Sequence, residues 1–484
     1  MSNRAIKKRG TWTFNLMLSV LFISYSFFNL DRLDNLHAAE FTIPSGDAAA
    51  LIDAINTANS SNEDDTINLQ GGTYTLTRMD NDTNGPNGLP SVTSSITLKG
   101  TGADSTIIQR ERDAPLFRIF HVADTGVLQI DSFTIKDGVV PYSLNDETET
   151  FDGGGIYNIG TVTIRNSSIL DNEAHNGGGI ANWSGLMSIT NSTISYNGSD
   201  KGSGIKNYER IVTVENCTIS QNGGAYYGNG IHNVLGTVSI TNCTISDNHG
   251  PGAAITNGYG DYSGAGTVEL KNTILAYNSA DVDYPGDCEG PITSLGNNII
   301  GDPVNCTIAL LESDSTGDPR LREFIDDGLP GHGHVPLLLD SPAIDSGNNS
   351  ACPQIDQLGK SRPVDGNGDG TAACDIGAIE FEYPENSYIR SPRPGSRFTD
   401  PTLATPTVEF EWVNGSAVSQ HWLSVGTSLA SLDRTPYGDI YSRNQYLNTS
   451  ATVSGIPLNG QNLYVRLWFK SGTWKYVDYT YQTQ

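Results

Sequence analysis

GGGIYN at residues 153–158 returns as GGGIAN at 177–182, GSGIKN at 202–207, GNGIHN at 228–233 and GAAITN at 252–257. The isoleucines of the five copies, Ile156, Ile180, Ile205, Ile231 and Ile255, stand 24, 25, 26 and 24 residues apart. A second phrase follows each copy: TVTIRNSSILDN from 161, MSITNSTISYN from 187, VTVENCTISQN from 212, VSITNCTISDN from 238 and VELKNTILAYN from 268. A period near 25 residues, held this long, describes stacked supersecondary units and not one globular core.

Inside each unit the apolar residues alternate. Val162 and Ile164, Val212 and Val214, and Val238 and Ile240 stand two apart with Thr, Ser or Glu around them, as in a strand with one buried face. The stretches around Ile169, Ile194, Ile219 and Ile245 read as another strand, and the GGGI-x-N phrase as a third. Three strands in about 25 residues, punctuated by Gly and Asn, leave no room for a crossover helix. The chain then closes as a coil whose strands pair with the coils before and after, about 4.8 Å away. Asn158, Asn182, Asn207, Asn233 and Asn257 hold one phase, and Asn172, Asn197, Asn222, Asn248 and Asn278 another. Stacked amides can bond along the axis, and Asn tolerates the left-handed backbone of tight corners. Leucine-rich repeats share the period but need a Leu-rich frame that is absent. The expectation is an all-β, right-handed parallel β-helix.

Composition agrees. The 484 residues include 53 Gly, and 37% are hydrophobic, which suits a core one side chain wide. Residues 1–39 read as a secretory signal peptide: Arg4, Lys7, Lys8 and Arg9 precede an apolar run from Leu16 to Phe28, followed by Ala38 and Ala39. The run falls short of the roughly 20 residues that span a bilayer as a helix. The whole chain carries a net charge of −26, and removing residues 1–39 takes away five basic and two acidic side chains. Such a surface repels nucleic acid and anionic membranes, and repels acidic polysaccharides unless calcium bridges the two.

Along the chain, GDAAALIDAINTAN (46–59) places Leu51, Ile52 and Ile55 on one helical face, a cap for the open end of the first coil. Less regular coils follow, interrupted by an excursion loop from Asp80 to Pro90. Regular coils run from about 150 to 280, and a closing region from 280 to 382 completes a β-helix over 40–385. From 386 to 484 the composition shifts: a Pro-rich stretch leads to period-two segments holding four of the six tryptophans, Trp412, Trp422, Trp468 and Trp474. That pattern predicts a small β-sandwich with Trp422 and Trp468 in its core. Six cysteines in an exported chain suggest disulfides: Cys288 with Cys306, and Cys352 with Cys374, each bracket a short loop. Cys217 and Cys243 sit at one phase of adjacent coils, either bridged or as two stacked thiols.

CEGPITSLGNNIIGDPVNC (288–306), VPLLLDSPAIDSGNN (335–349) and CPQIDQLGKSRPVDGNGDGTAACDIGAIEF (352–381) resemble the closing region of bacterial choice-of-anchor Q proteins. Repeats of the GGGI-x-N and N-S-T-I-S-x-N type precede that region in the family, and the likeness covers roughly residues 46–382. The repeats also resemble those of polymorphic outer-membrane proteins. These likenesses imply a pectate-lyase-like solenoid, export, and a place outside the bacterial cell or on its surface; they imply no reaction. After Phe381, where the family carries varied anchoring tails, the sequence instead resembles fibronectin-type or immunoglobulin-like modules.

Three constellations offer chemistry. Asp365, Asn367 and Asp369, with Gly370 following, set oxygen ligands as a calcium loop begins, and Asp375 stands one residue short of its twelfth position. Beside the repeat isoleucines, Tyr157, Ala181, Lys206, His232 and Thr256 are predicted to face outward, with Lys206 and His232 one coil apart. β-Helix polysaccharide lyases use such bases, commonly beside acidic calcium ligands, to take a proton next to a uronate carboxylate. No acidic cluster is evident to complete that pair here. Trp474 and Tyr476, by a Gly-containing turn, can stack on sugar rings. The sequence therefore points to a secreted or surface β-helix that binds a polysaccharide or an extracellular protein. A lyase or hydrolase on the β-helix face, and a plain structural spacer, are the alternatives.

Overall fold

The structure is a computed structural model, and it describes residues 38–61, 63–140, 151–259, 263–280, 286–326, 333–367, 370–381, 387–392, 397–398, 407–415, 418–433, 438–457 and 459–483. The expected signal peptide lies outside the described residues but for Ala38 and Ala39. Among the described residues no helix is long and apolar enough to cross a membrane.

The repeats stack as three parallel sheets. The first is built from Phe120–Val122, Ile156–Asn158, Ile180–Asn182, Ile205–Tyr208, Ile231–Val234 and Ile255–Asn257. Its register pairs Ile156, Ile180, Ile205, Ile231 and Ile255 in one file, each fully buried. The second sheet includes Thr161–Arg165, Leu186–Thr190, Ile211–Glu215, Thr237–Thr241 and Thr267–Lys271. The third includes Ser168–Leu170, Thr193–Ser195, Thr218–Ser220 and Thr244–Ser246. Inward residues of all three form one continuous apolar core. Stacking continues past 280: Cys288–Ser294 pairs with the coil before it, and Ile299–Ile300 pairs on to Ser315–Thr316.

Amide ladders run along the axis as the phasing predicts. Asn158, Asn182, Asn207 and Asn233 each donate to the next asparagine, ending at Asn257, at 2.7–3.0 Å. Asn172, Asn197, Asn222 and Asn248 do the same toward Asn278. The left-handed corners fall to a different asparagine file: Asn166, Asn191, Asn216, Asn242 and Asn272 have φ between 48° and 56°. The first glycine of four copies, Gly153, Gly177, Gly202 and Gly228, also has positive φ, and a Cβ there would lie 2.3–2.6 Å from the carbonyl oxygen of its own isoleucine. That close turn is why the phrase begins with Gly.

Helix Ala48–Ala58 covers the first coil, with Asp47 capping Ala50 N–H and Leu51, Ala54, Ile55 and Ala58 buried. Ile52 packs at the margin of that core. At the other end the closing region runs back along the outside of the third sheet. Gln357 bonds Thr193 and Thr218, Ala378 N–H bonds Thr244, and Arg362 reaches Asn216. A second apolar core, including Ile274, Leu321, Leu337, Ile344 and Phe381, seals that contact.

Beyond residue 386, Tyr388–Ser391, Val408–Val413 and Ser450–Val453 form a three-stranded sheet. His421–Gly426, Tyr441–Tyr446, Asn462–Ser471 and Thr473–Thr483 form most of a five-stranded one. The two sheets share a core of Phe410, Trp412, Leu423, Val425, Val465, Leu467 and Tyr481. Trp422 and Trp468 do not belong to it, contrary to expectation. His421, Leu423 and Val425 point inward on one strand, and Val465, Leu467 and Phe469 on its neighbour, so the alternation turns both tryptophans out.

Candidate functional site

The outward row of the first sheet has the predicted register, since Tyr157, Ala181, Lys206, His232 and Thr256 pair in sequence. It is not a solvent face. His121, which extends the row, and these five residues are at most 4% exposed. Expected outward-facing bases are therefore buried ones, and the cause is the turns between strands. Asn84 from the excursion loop contacts His121, whose Nδ1 meets Ser91 Oγ at 2.8 Å. Arg118 lies over the Tyr157 ring, and its guanidinium donates to the Asn84 and Asp152 carbonyls and to Asn87 Oδ1. Tyr227 stacks on His232 at 5.5 Å, and Tyr259 meets its edge at 5.4 Å.

Burial sets the electrostatics there. It pushes His121 down to about 4, with the Arg118 charge adding to the effect. It holds His232 well below the usual imidazole range, so Nε2–H donates to Gly258 O at 2.9 Å from a neutral ring. Lys206 is pushed down to about 8 by burial, against the opposing pull of Asp152. Its Nζ donates to Asn176 Oδ1 at 2.9 Å, and Asn176 Nδ2 donates to Asp152 Oδ1 at 2.7 Å. Asp152 is the acidic partner that sequence reading missed. It immediately precedes the first GGGI phrase, and bridge pairing aligns it with Asn176, Lys201 and Tyr227, the residues preceding the next three copies. That phase was the available signal.

Among the described residues the outer face of the five-stranded sheet is open at Trp474 and Tyr476. Trp422 pairs with Trp468, and Trp468 with Tyr476, on three adjacent strands. Trp474 is 41% and Tyr476 49% exposed, while Trp422 and Trp468 are half-buried. Trp468 and Tyr476 lie 4.7 Å apart at 57°. The Arg466 guanidinium sits 3.9 Å over Tyr476 and is held by Asp478 and Asp433. Those bonds raise its pKa and occupy its charge.

In the acidic loop, Asp369 lies outside the described residues. Asp365 accepts from Gly370 N–H at 2.9 Å, and Asp345 accepts from Asn367 N–H at 2.7 Å. Asp375 is fully buried, with its two oxygens taking the Asp345 and Phe381 amides, and burial lifts it to about 7. Among the described residues no group of three or more His, Cys, Asp or Glu is placed to hold a metal. Cys288–Cys306 and Cys352–Cys374 are disulfides, as the local spacing suggests. The possible Cys217–Cys243 bridge is not formed. Both are buried thiols whose sulfurs approach the Glu215 and Thr241 carbonyls at 3.1 and 3.2 Å. A cleft where the closing region meets the C-terminal sheets holds Arg320, Asp340, Arg390 and Glu411 in mutual ion pairs.

A family model for the right handed beta helix region matches residues 120–281, and gives the coil its hand. Two solved structures are similar over 69% of this chain and 98% of theirs, both at 12% identity. They are pectin methylesterase PemA from Erwinia chrysanthemi, at a TM-score of 0.29, and a pectin methylesterase in complex with a hexasaccharide, at 0.30. Scores this low say nothing of this chain's activity. No curated protein matches the chain.

Proposed function

We propose that the protein binds a neutral polysaccharide outside the cell, with the β-helix as a rigid body and the outer face of the C-terminal five-stranded sheet as the contact. The observation that carries this reading is the file Trp422, Trp468, Tyr476, one ring per strand, with Trp474 exposed beside it. Neighbouring strands lie about 4.8 Å apart, close to the length of one pyranose unit, so a glycan laid across the strands meets a ring at each sugar. Arg466 is already paired with Asp478 and Asp433, and the whole chain is strongly negative, so the contact favours an uncharged chain over a uronate polymer. Export and surface placement, with the two disulfides in support, complete the reading. Catalysis at Lys206 and His232 has less support, because a substrate would have to displace Tyr227, Tyr259 and their turns to reach either group.

Affinity electrophoresis of the protein without residues 1–39, in gels holding cellulose derivatives, xylan, mannan or polygalacturonate, tests the reading. Retardation by a neutral polymer is expected, weakened about three- to tenfold for each ring removed in Trp468→Ala and Tyr476→Ala. Equal mobility of wild type and both variants in every neutral gel overturns it. Retardation only by polygalacturonate with calcium also overturns it, and moves attention to the Asp365 loop.

A further inference from the structure

Lys206, Asn176 and Asp152 meet in an arrangement that their packing role does not require. Lys206 Nζ has a hydrogen bond to the side-chain oxygen of Asn176, and the amide nitrogen of Asn176 faces the carboxylate of Asp152. All three are buried, at 4%, 9% and 0% exposure. A buried ammonium whose hydrogen-bond partner is a neutral amide is costly, and so is the carboxylate that balances it. Nucleophile, electrophilic carbon and acid–base group are thus held dry, with Asn176 hydrogen-bonded to Lys206 on one side and to Asp152 on the other, as proximity catalysis needs.

We propose that Lys206 and Asn176 condense to an intramolecular isopeptide bond, with Asp152 as the proton carrier. The Lys206 ammonium passes a proton to Asp152 through the Asn176 amide, Nζ–H to Oδ1 and Nδ2–H to the carboxylate, and the neutral amine attacks Asn176 Cγ. Asp152 then protonates the departing Nδ2, which it already touches, and recovers a proton from Nζ. The Nζ–Cγ bond forms, the Cγ–Nδ2 bond breaks and one ammonia leaves, with no oxidant or cofactor required. Burial prepares the amine by pushing Lys206 down to about 8, although Asp152 opposes this and the nearby Lys201 charge assists it. Lys201, in the same bridge file, is half-exposed and stays solvated, so it is not the nucleophile. The product removes a buried charge and ties together two coils whose linked residues are 30 apart in the chain.

The test is tandem mass spectrometry of the folded full chain after reduction, denaturation and proteolysis. The peptides containing Asn176 and Lys206 are expected to be recovered joined, lighter than their sum by one ammonia. Lys206→Arg and Asp152→Asn, checked for folding by circular dichroism, are expected to give the two peptides separately. Separate, unmodified peptides from folded wild type overturn the proposal. An equal yield of the joined peptide from Asp152→Asn overturns the role given to Asp152. Neither outcome depends on glycan binding.

Discussion

On the first sheet of the solenoid, Tyr157, Ala181, Lys206 and His232 face away from the core, yet none is more than 4% exposed. On the five-stranded C-terminal sheet, Trp474 and Tyr476 also face away, and they are 41% and 49% exposed. Strand alternation is the same in both. What differs is the connection between strands. In the solenoid a turn leads into each first-sheet strand, and those turns carry Asp152, Asn176 and Tyr227 over the sheet. In the C-terminal unit the two longest strands are joined by a tight turn at Gly472, and among the described residues no turn covers Trp474 and Tyr476. A polar outward residue is thus a buried network in one place, and an aromatic one is an open surface in the other.

The comparison breaks most visibly at Arg118. If the first sheet is truly covered, Arg118→Ala leaves the Asn84 and Asp152 carbonyls without their donor and removes one of the two cations, with Lys206, that act on the Asp152 carboxylate, at a cost of about 3–5 kcal/mol. Chemical denaturation followed by far-ultraviolet circular dichroism measures it. A loss under about 1 kcal/mol would mean water already reaches the row.

Asn207→Ala cuts the amide ladder between Asn182 and Asn233, and removes the donor to Arg210 O. A gap in a buried file costs about 1–3 kcal/mol, because the neighbouring amides lose partners that water cannot replace. Hydrogen exchange localises the effect: protection is expected to fall in the coils on either side of Asn207 and to persist at the helix cap. Uniform loss along the solenoid would show that the coils unfold as one unit.

How much was legible follows from which forces act within one period. The file of isoleucines and both amide ladders repeat in the sequence, so their register was readable before any coordinates. Lys206 and His232 were placed on the right row and next to each other. Their burial is not readable, because Tyr227 and Tyr259, which cover His232, belong to turns that differ from coil to coil. The closing region's course along the third sheet was hidden for a related reason: Gln357 and Thr193 lie 164 residues apart, and no periodicity links them. The alternating strands predict Trp422 and Trp468 in the core, but the phase of His421, Leu423 and Val425 carries the better signal.

A covered acid gives the comparison a pH axis. Burial raises Asp375 to about 7 against an ordinary value near 4, so the folded chain keeps that proton where the unfolded chain has released it. Its contribution therefore makes stability fall as pH rises from about 4 to about 7. His121 and His232 work in the opposite sense, because their folded states refuse a proton that the unfolded state accepts below about 6.5. Subtracting the urea midpoints of Asp375→Asn from those of wild type isolates the acid. The difference is expected to move against wild type as pH climbs through that window. A difference independent of pH would place Asp375 in contact with water.

The smallest expected effect on stability comes from the largest exposed side chain. Trp474→Ala removes an indole that is 41% exposed and beyond the shared core of the two sheets. A substitution there changes folding free energy by no more than about 0.5 kcal/mol. Arg118, a smaller group on a covered face, is expected to cost several times as much. If Trp474→Ala lowers the denaturation midpoint as far as Arg118→Ala does, the outer face of the C-terminal sheet is packed against another part of the molecule. A ring already engaged in that way has no free face to offer a sugar, so the same measurement weighs on the proposed glycan contact before any ligand is tried.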